Sequence, residues 1–176
     1  MANIVYVDEH DTVIGAGSRQ EALEKGIAHR IARVFLFNQK GEILMQKRSE
    51  NLLSLPGRWD QSAAGHVDEG ESYLEAAERE THEEIGLSGI PLTLVGESFY
   101  TEEIDEPLVK KRFNALYTAM YDGEIRFNKD EVSEVCWISP TKLKELMEAK
   151  PNDFTQGCTE AFKYLTRQSS TGFEAV

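Results

Sequence analysis

Glu80, Glu83 and Glu84 are related by steps of three and four residues, so on a helix their side chains rise from adjacent turns and can converge on one point. Left unpaired, such a cluster destabilises its helix by like-charge repulsion. Around one or two Mg²⁺ ions, or Mn²⁺ as the alternative, it becomes a hard oxygen-donor site with room for water and phosphate oxygens. Eight carboxylates fall between Asp68 and Glu84, and Arg79 is the only fixed cation among them. Arg79 lies four residues after Glu75 and four before Glu83, a spacing that lets it clamp the edge of the cluster through paired hydrogen bonds. Glu71, near the helix start, is placed to meet Arg79 or to reach a metal through water. Glu75, Glu78 and His82 fall on a third, solvated face.

The helix that must position these groups runs from Ser72 to Ile85, contains neither Gly nor Pro, and closes on Gly86. Leu74, Ala77, Thr81 and Ile85 form the stripe expected to pack on a sheet, separate from the carboxylates. Around it, Ile4 to Val7 and Val13 to Gly15 predict an N-terminal hairpin, and Ser18 with Glu21 predicts a capping box opening a helix to Lys25. Ala32 to Phe37 and Glu42 to Gln46 flank a Gly-bearing turn and predict a second hairpin. Ser49 to Trp59 reads as a loop, followed by an extended piece ending at Gly65 to Val67. Leu92 to Tyr100 and Phe113 to Tyr121 read as strands, separated by the acidic segment Thr101 to Pro107. Val132 to Ile138 supplies one more strand, Ser139-Pro140 opens a helix to about Ala149, and a last helix runs from near Asp153 to about Arg167. This order predicts a mixed α/β fold, one domain over residues 1–167, with 168–176 as a disordered C-terminal tail.

The bulk composition excludes several classes. A formal net charge of -12 over 176 residues is unsuited to gripping nucleic acid polymers. No apolar run approaches the roughly 20 residues that span a bilayer, and the start lacks a basic leader with an apolar segment. Two cysteines, Cys136 and Cys158, are not spaced as a redox pair or zinc knuckle. The expectation is a cytoplasmic protein with a small-molecule partner.

Gly65, Glu71, Arg79-Glu80, Glu83-Glu84 and Gly86, with Thr81 and Leu87 between and after them, match the Nudix box at every specified position across 23 residues. The order of strands and helices also resembles the Nudix fold, which implies an α/β/α sandwich with a central mixed sheet. The resemblance implies that Glu80, Glu83 and Glu84 bind divalent metal, with the backbone carbonyl of Gly65. It implies attack of a metal-activated water on a phosphorus of a nucleoside diphosphate derivative. The general base varies in that family: Glu83, Glu84 and Glu131, the last in a loop before the final strand, all qualify. Nudix proteins commonly dimerise, so a homodimer stays open.

Outside the box, Ala28-His29-Arg30, Leu55-Pro56-Gly57-Arg58-Trp59-Asp60 and Ala64-Gly65-His66 resemble isopentenyl-diphosphate isomerase, a Nudix-fold enzyme that moves protons. That isomerase needs a cysteine where this chain has Ala64, and metal-binding glutamates where it reads Val109-Lys110-Lys111-Arg112. The pattern resembles the isomerase-like bacterial branch of Nudix hydrolases, not the isomerase itself. A nucleotide-binding module without turnover is the remaining alternative, against which the complete box argues. His29 and His66 are expected to be structural. Arg48, Arg58 and Arg112, with Lys47, Lys110 and Lys111, are candidates for holding substrate phosphate, and Phe35, Trp59, Tyr100 and Phe113 for stacking on a base.

Overall fold

The computed structural model describes residues 2–105 and 107–170. Strands Ile4–Val7 (β1) and Val13–Gly17 (β2) form the expected N-terminal hairpin, and Arg19–Lys25 (α1) follows. Ser18 caps α1 by accepting from the Glu21 amide. The return half of the expected capping box is not made, because the Glu21 carboxylate is taken by Lys25 and the Tyr6 hydroxyl.

Ala28–Phe37 (β3) is the central strand. Ala32, Val34 and Leu36 enter one hydrophobic cluster and Phe35 the other, so both faces of the strand are covered. On one edge β3 runs parallel to Leu108–Met120 (β8), and on the other it pairs antiparallel with β1 and then with Ala63–His66 (β6). Ile43–Arg48 (β4) meets β3 only at Phe37↔Ile43. It then turns away to pair with Trp59–Asp60 (β5) and Val132–Ile138 (β9). The sheet therefore forks. The Ser62 hydroxyl bridges the fork, accepting from the Leu36 amide at 2.8 Å and donating to the Leu44 carbonyl at 2.7 Å.

Helix Tyr73–Ile85 (α2) covers the first cluster, while Pro140–Ala149 (α3) and Gln156–Ser170 (α4) cover the second. The result is the expected α/β/α sandwich on a mixed sheet. Among the described residues, no helix is long and apolar enough to cross a membrane.

Four expectations change. Leu74 is 41% exposed, and Tyr73 takes its place in the buried stripe with Ala76, Ala77, Thr81 and Ile85. Ala77, Thr81 and Ile85 stay in the stripe, which widens on the Tyr73 side to take in Ala76 and Glu84, so packing and carboxylate faces overlap. The acidic segment is not a loop: Thr93–Asp105 (β7) is one long strand paired with β8. Its charges are tolerated because Glu102 lies opposite Lys111 and Glu103 opposite Lys110. Finally, α4 starts at Gln156, after a short 3₁₀ turn at Pro151–Asp153, and continues to Ser170. The rest of the expected tail, residues 171–176, lies outside the described residues.

Asp11 ties the N-terminal hairpin to the rest. Buried in the β1–β2 turn at φ 60°, it accepts from Arg30 Nε at 2.8 Å, from the Tyr73 hydroxyl at 2.9 Å and from the Ser98 hydroxyl. Arg30 also lies over the Tyr73 ring, 4.9 Å from its centroid. Removing one member of a buried ion pair strands the other, so Asp11→Ala is expected to lower unfolding stability by about 3 kcal/mol in urea titrations. A loss below about 1 kcal/mol, the worth of an exposed pair, would contradict this hub role.

Candidate active site

A cleft of about 570 Å³ opens at the fork, between β3 and β6 on one side and β4 and β5 on the other. Glu80, Glu84, Gly65, Ala64, Asp68, Glu131 and Arg48 line it, together with Arg112 from β8.

The Ser72 cap and its Glu75 capping box fix the start of α2, and its regular turns then set Arg79 and the glutamates at fixed heights. Every nitrogen of the Arg79 guanidinium is engaged. Nε and Nη2 bind the two Glu71 oxygens at 2.7 and 3.0 Å, and Nη2 also reaches the His66 carbonyl at 2.9 Å. Nη1 bridges Glu80 at 2.7 Å and Glu83 at 3.1 Å. These bonds, that with Glu71 foremost, hold the guanidinium pKa above its usual range. Arg79 thus clamps Glu83 and Glu71, whereas Glu75, four residues before it, is taken by the Ser72 cap instead.

Glu84 is 6% exposed, and its partners are neutral. The Gln46 amide donates to Oε2 at 2.7 Å and the Ala64 backbone N–H to the same oxygen at 3.0 Å. Burial, then the neighbouring Glu80, pushes its carboxyl well above the normal range. Burial likewise raises Glu80 to about 7, against the pull of Arg79. Gln46 Oε1 is buried without a hydrogen-bond partner beside this pair. Glu80 is pressed so close to Gly65 that a Cβ there would stand 1.8 Å from Oε1. Any side chain at position 65 would drive the carboxylate out.

Glu83 is the exception in the acidic group. Its side chain is 49% exposed, turned to Arg79, and absent from the cleft lining. Among the described residues, no three acid, His or Cys side chains are drawn into a ready-made metal cluster, because Arg79 Nη1 holds Glu80 and Glu83. The donor set nevertheless fits a divalent cation. Buried Glu84 and half-buried Glu80, with Arg79 as their one counter-charge among the described residues, stand beside an unpartnered amide oxygen, all hard oxygen donors. Glu131 is brought over the same end of the cleft by its loop. Asn128 donates its backbone N–H to the Glu84 carbonyl at 2.9 Å and its side-chain amide to Glu131 at 3.0 Å.

The substrate candidates separate. Arg112 and Arg48 line the cleft, although Arg48 also braces the loop after β4 through the Ser54 and Leu55 carbonyls. Arg58 points elsewhere, donating to the Phe154 carbonyl at 3.4 Å. Phe35 is fully buried edge-on against Phe162, so its ring cannot reach a ligand in the cleft. Phe113 is core, Trp59 packs against the second cluster, and Tyr100 lies on the surface, tilted against Phe113. Sequence reasoning missed Gln46, Asp60, Arg19 and Arg33. Only the topology brings Asp60, Arg19 and Arg33 to the cleft and Gln46 to Glu84, and no local pattern marks them.

Ala64 lines the cleft and contributes its backbone N–H to Glu84, with no side-chain group able to carry a proton. His29 and His66 stack at 5.2 Å between centroids, and both Nε2 atoms are buried without partners. Burial holds both below the usual histidine range, His29 at about 4, so both are neutral near pH 7.

A NUDIX domain profile matches residues 28–158. The chain is 34% identical over 170 residues to an uncharacterised Nudix hydrolase, YfcD, of Escherichia coli K12, covering 97% of this chain and 89% of that one. It is 33% identical over 152 residues to isopentenyl-diphosphate Delta-isomerase 2 of Photorhabdus laumondii, covering 86% and 85%. In fold it is similar to the crystal structure of DR0079 from Deinococcus radiodurans, with a TM-score of 0.70 at 24% identity, covering 84% and 90%. Nudix hydrolases generally use divalent metal ions. The chain belongs to the Nudix family, as a hydrolase acting on diphosphate-containing substrates.

Proposed function

We propose that this protein is a Mg²⁺-dependent hydrolase of nucleoside diphosphate derivatives. The observation that carries this reading is the pair of half-buried Glu80 and buried Glu84: carboxylates lining a cleft, one pressed onto Gly65 and the other bonded only to neutral donors. Glu80 and Glu84 would hold the cation, with the Gly65 carbonyl, and Glu83 would have to leave Arg79 to join them. When bound, the cation lowers the pKa of water and neutralises charge growing on diphosphate oxygens. Arg79 keeps the glutamates in place, and Glu131, held over the cleft by Asn128, takes the proton from the attacking water.

The test is a metal-supplemented screen of nucleoside di- and triphosphates, dinucleoside polyphosphates, nucleotide sugars and prenyl diphosphates. Mg²⁺-dependent release of a nucleoside monophosphate or phosphate is expected. Solvent deuterium entering isopentenyl diphosphate without hydrolysis would favour the isomerase reading, and binding without turnover the non-catalytic one.

Cation binding is expected to depend on pH. A carboxyl with its pKa at about 7 must lose its proton to become a ligand. Cation affinity therefore falls as pH drops through 7, by up to about tenfold per unit for each proton displaced. Stability of the cation-free protein moves the other way. The folded pKa of Glu80 lies above the ordinary glutamate value, so the folded state binds the extra proton and gains stability as pH falls from 8 to 6.5. Below pH 6.5 the neutral histidines oppose this gain, since the unfolded chain then protonates them first. Calorimetric Mg²⁺ titrations at pH 6 and 8 check the first claim, and a pH-independent affinity would refute it.

A further inference from the structure

Part of the cleft carries positive charge that no carboxylate among the described residues pairs with directly. Arg33 on β3 is 5% exposed. Its Nε donates to the Asn114 amide oxygen at 2.8 Å and Nη1 to the Gln61 amide oxygen at 3.3 Å, both neutral groups. Among the described residues no carboxylate lies within ion-pair distance of it. Asp60 and Glu103, which act on it through space, are already engaged by Arg48 and by Arg112 with Lys110. A Cβ on Gly157 would stand 2.7 Å from both Arg33 Nη atoms, so the guanidinium is fitted closely against the start of α4.

Two more guanidinium groups share this wall. Arg112, in parallel register with His29, divides the single carboxylate of Glu103 with Lys110. Arg19, at the rim, lines the cleft and makes no ion pair among the described residues. Burial and then repulsion from Arg112 hold Arg33 down at about 10, and desolvation at the cleft rim with the same repulsion lowers the surface residue Arg19. Between them lies His66, which lines the cleft with its Nε2 buried and unpartnered. A buried cation without an anion is strongly disfavoured, and Arg33 is one, in a chain of formal charge -12. A ligand anion is the partner that completes it.

We propose that Arg19, Arg33 and Arg112, together with His66, form a phosphate subsite distinct from the Glu80 and Glu84 carboxylates. Planar guanidinium forks match the oxygens of a phosphoryl group in pairs, whereas a lone carboxylate has too few oxygens to satisfy three of them. The subsite rests on the diphosphate-hydrolase reading for its role: it holds a substrate phosphoryl group other than the one attacked. Its existence is testable without turnover.

Inorganic phosphate titrated calorimetrically into EDTA-treated protein is expected to bind one-to-one. Binding should weaken roughly 10- to 100-fold in Arg33→Gln and in Arg19→Gln, the equivalent of one charge-assisted hydrogen bond. It should be unchanged in Lys163→Gln, a cation on the exposed face of α4 that pairs with Glu160 and lies outside the cleft lining. Arg19 is at the surface, so its variant carries the test even if Arg33→Gln fails to fold. Phosphate that does not bind, or binds unchanged in Arg19→Gln, overturns the subsite, and acetate binding as tightly as phosphate overturns its phosphate class. Phosphate binding with no diphosphate turnover would keep the subsite and remove the hydrolase. Turnover without arginine-dependent phosphate binding would do the reverse.

Discussion

Replacing Glu84 by Gln is expected to abolish most turnover while leaving the protein at least as stable. The glutamine preserves the shape of the side chain and an oxygen to accept from the Ala64 N–H, but it removes the charge that a divalent cation needs. Losing several kcal/mol of charge stabilisation in the transition state corresponds to a fall in kcat of about 10³-fold or more. Stability moves oppositely, because the lost charge is buried and has only neutral partners. The cation-free variant should therefore melt no lower than the parent, and its melting temperature should no longer rise on adding Mg²⁺. Turnover within a few-fold of the parent would remove Glu84 from the metal site. A lower melting temperature with lost activity would instead mark a structural role.

Replacing Arg79 by Met is expected to damage both stability and cation binding. Arg79 is the common partner of Glu71, Glu80 and Glu83, with Asp68 at 3.9 Å. Without it these acids repel one another, with an expected loss of about 3 kcal/mol in cation-free protein, partly recovered by Mg²⁺. Cation affinity should fall about 10- to 100-fold, as for other groups that orient metal ligands. Arg79→Lys should not restore it, since a single ammonium cannot reproduce contacts made by Nε, Nη1 and Nη2 together. If Arg79 served mainly to grip substrate, KM would rise while cation affinity stayed constant. Calorimetry and steady-state kinetics on one preparation separate these outcomes.

Much of the fold is legible in sequence because its signals are local. The Ser139-Pro140 start of α3, the Gly86 end of α2 and the turn between β3 and β4 each need only a few neighbouring residues. The acidic stretch in β7 is different: it becomes a strand because Lys110 and Lys111 face it, information carried by residues on another strand. The same division runs through the site. Glu80, Glu84, Arg79 and Gly65 lie on one short stretch whose spacing is informative. Arg33 sits between Ala32 and Val34, where alternation marks only a strand, and its position at the cleft depends on the fork between β3 and β4. Tyr73 displaces Leu74 from the buried stripe because its hydroxyl has Asp11 to reach, a partner 62 residues away.

That reach has a consequence for how the chain folds. Asp11 gathers groups 19, 62 and 87 residues distant, so its contacts repay loop closure only after β3, α2 and β7 have assembled. Docking of the Asp11 turn is therefore expected to follow the rate-limiting barrier, which refolding and unfolding rates of Asp11→Ala would check. Substitution at Asp11 would shorten the lifetime of the native state and leave the time taken to reach it nearly unchanged.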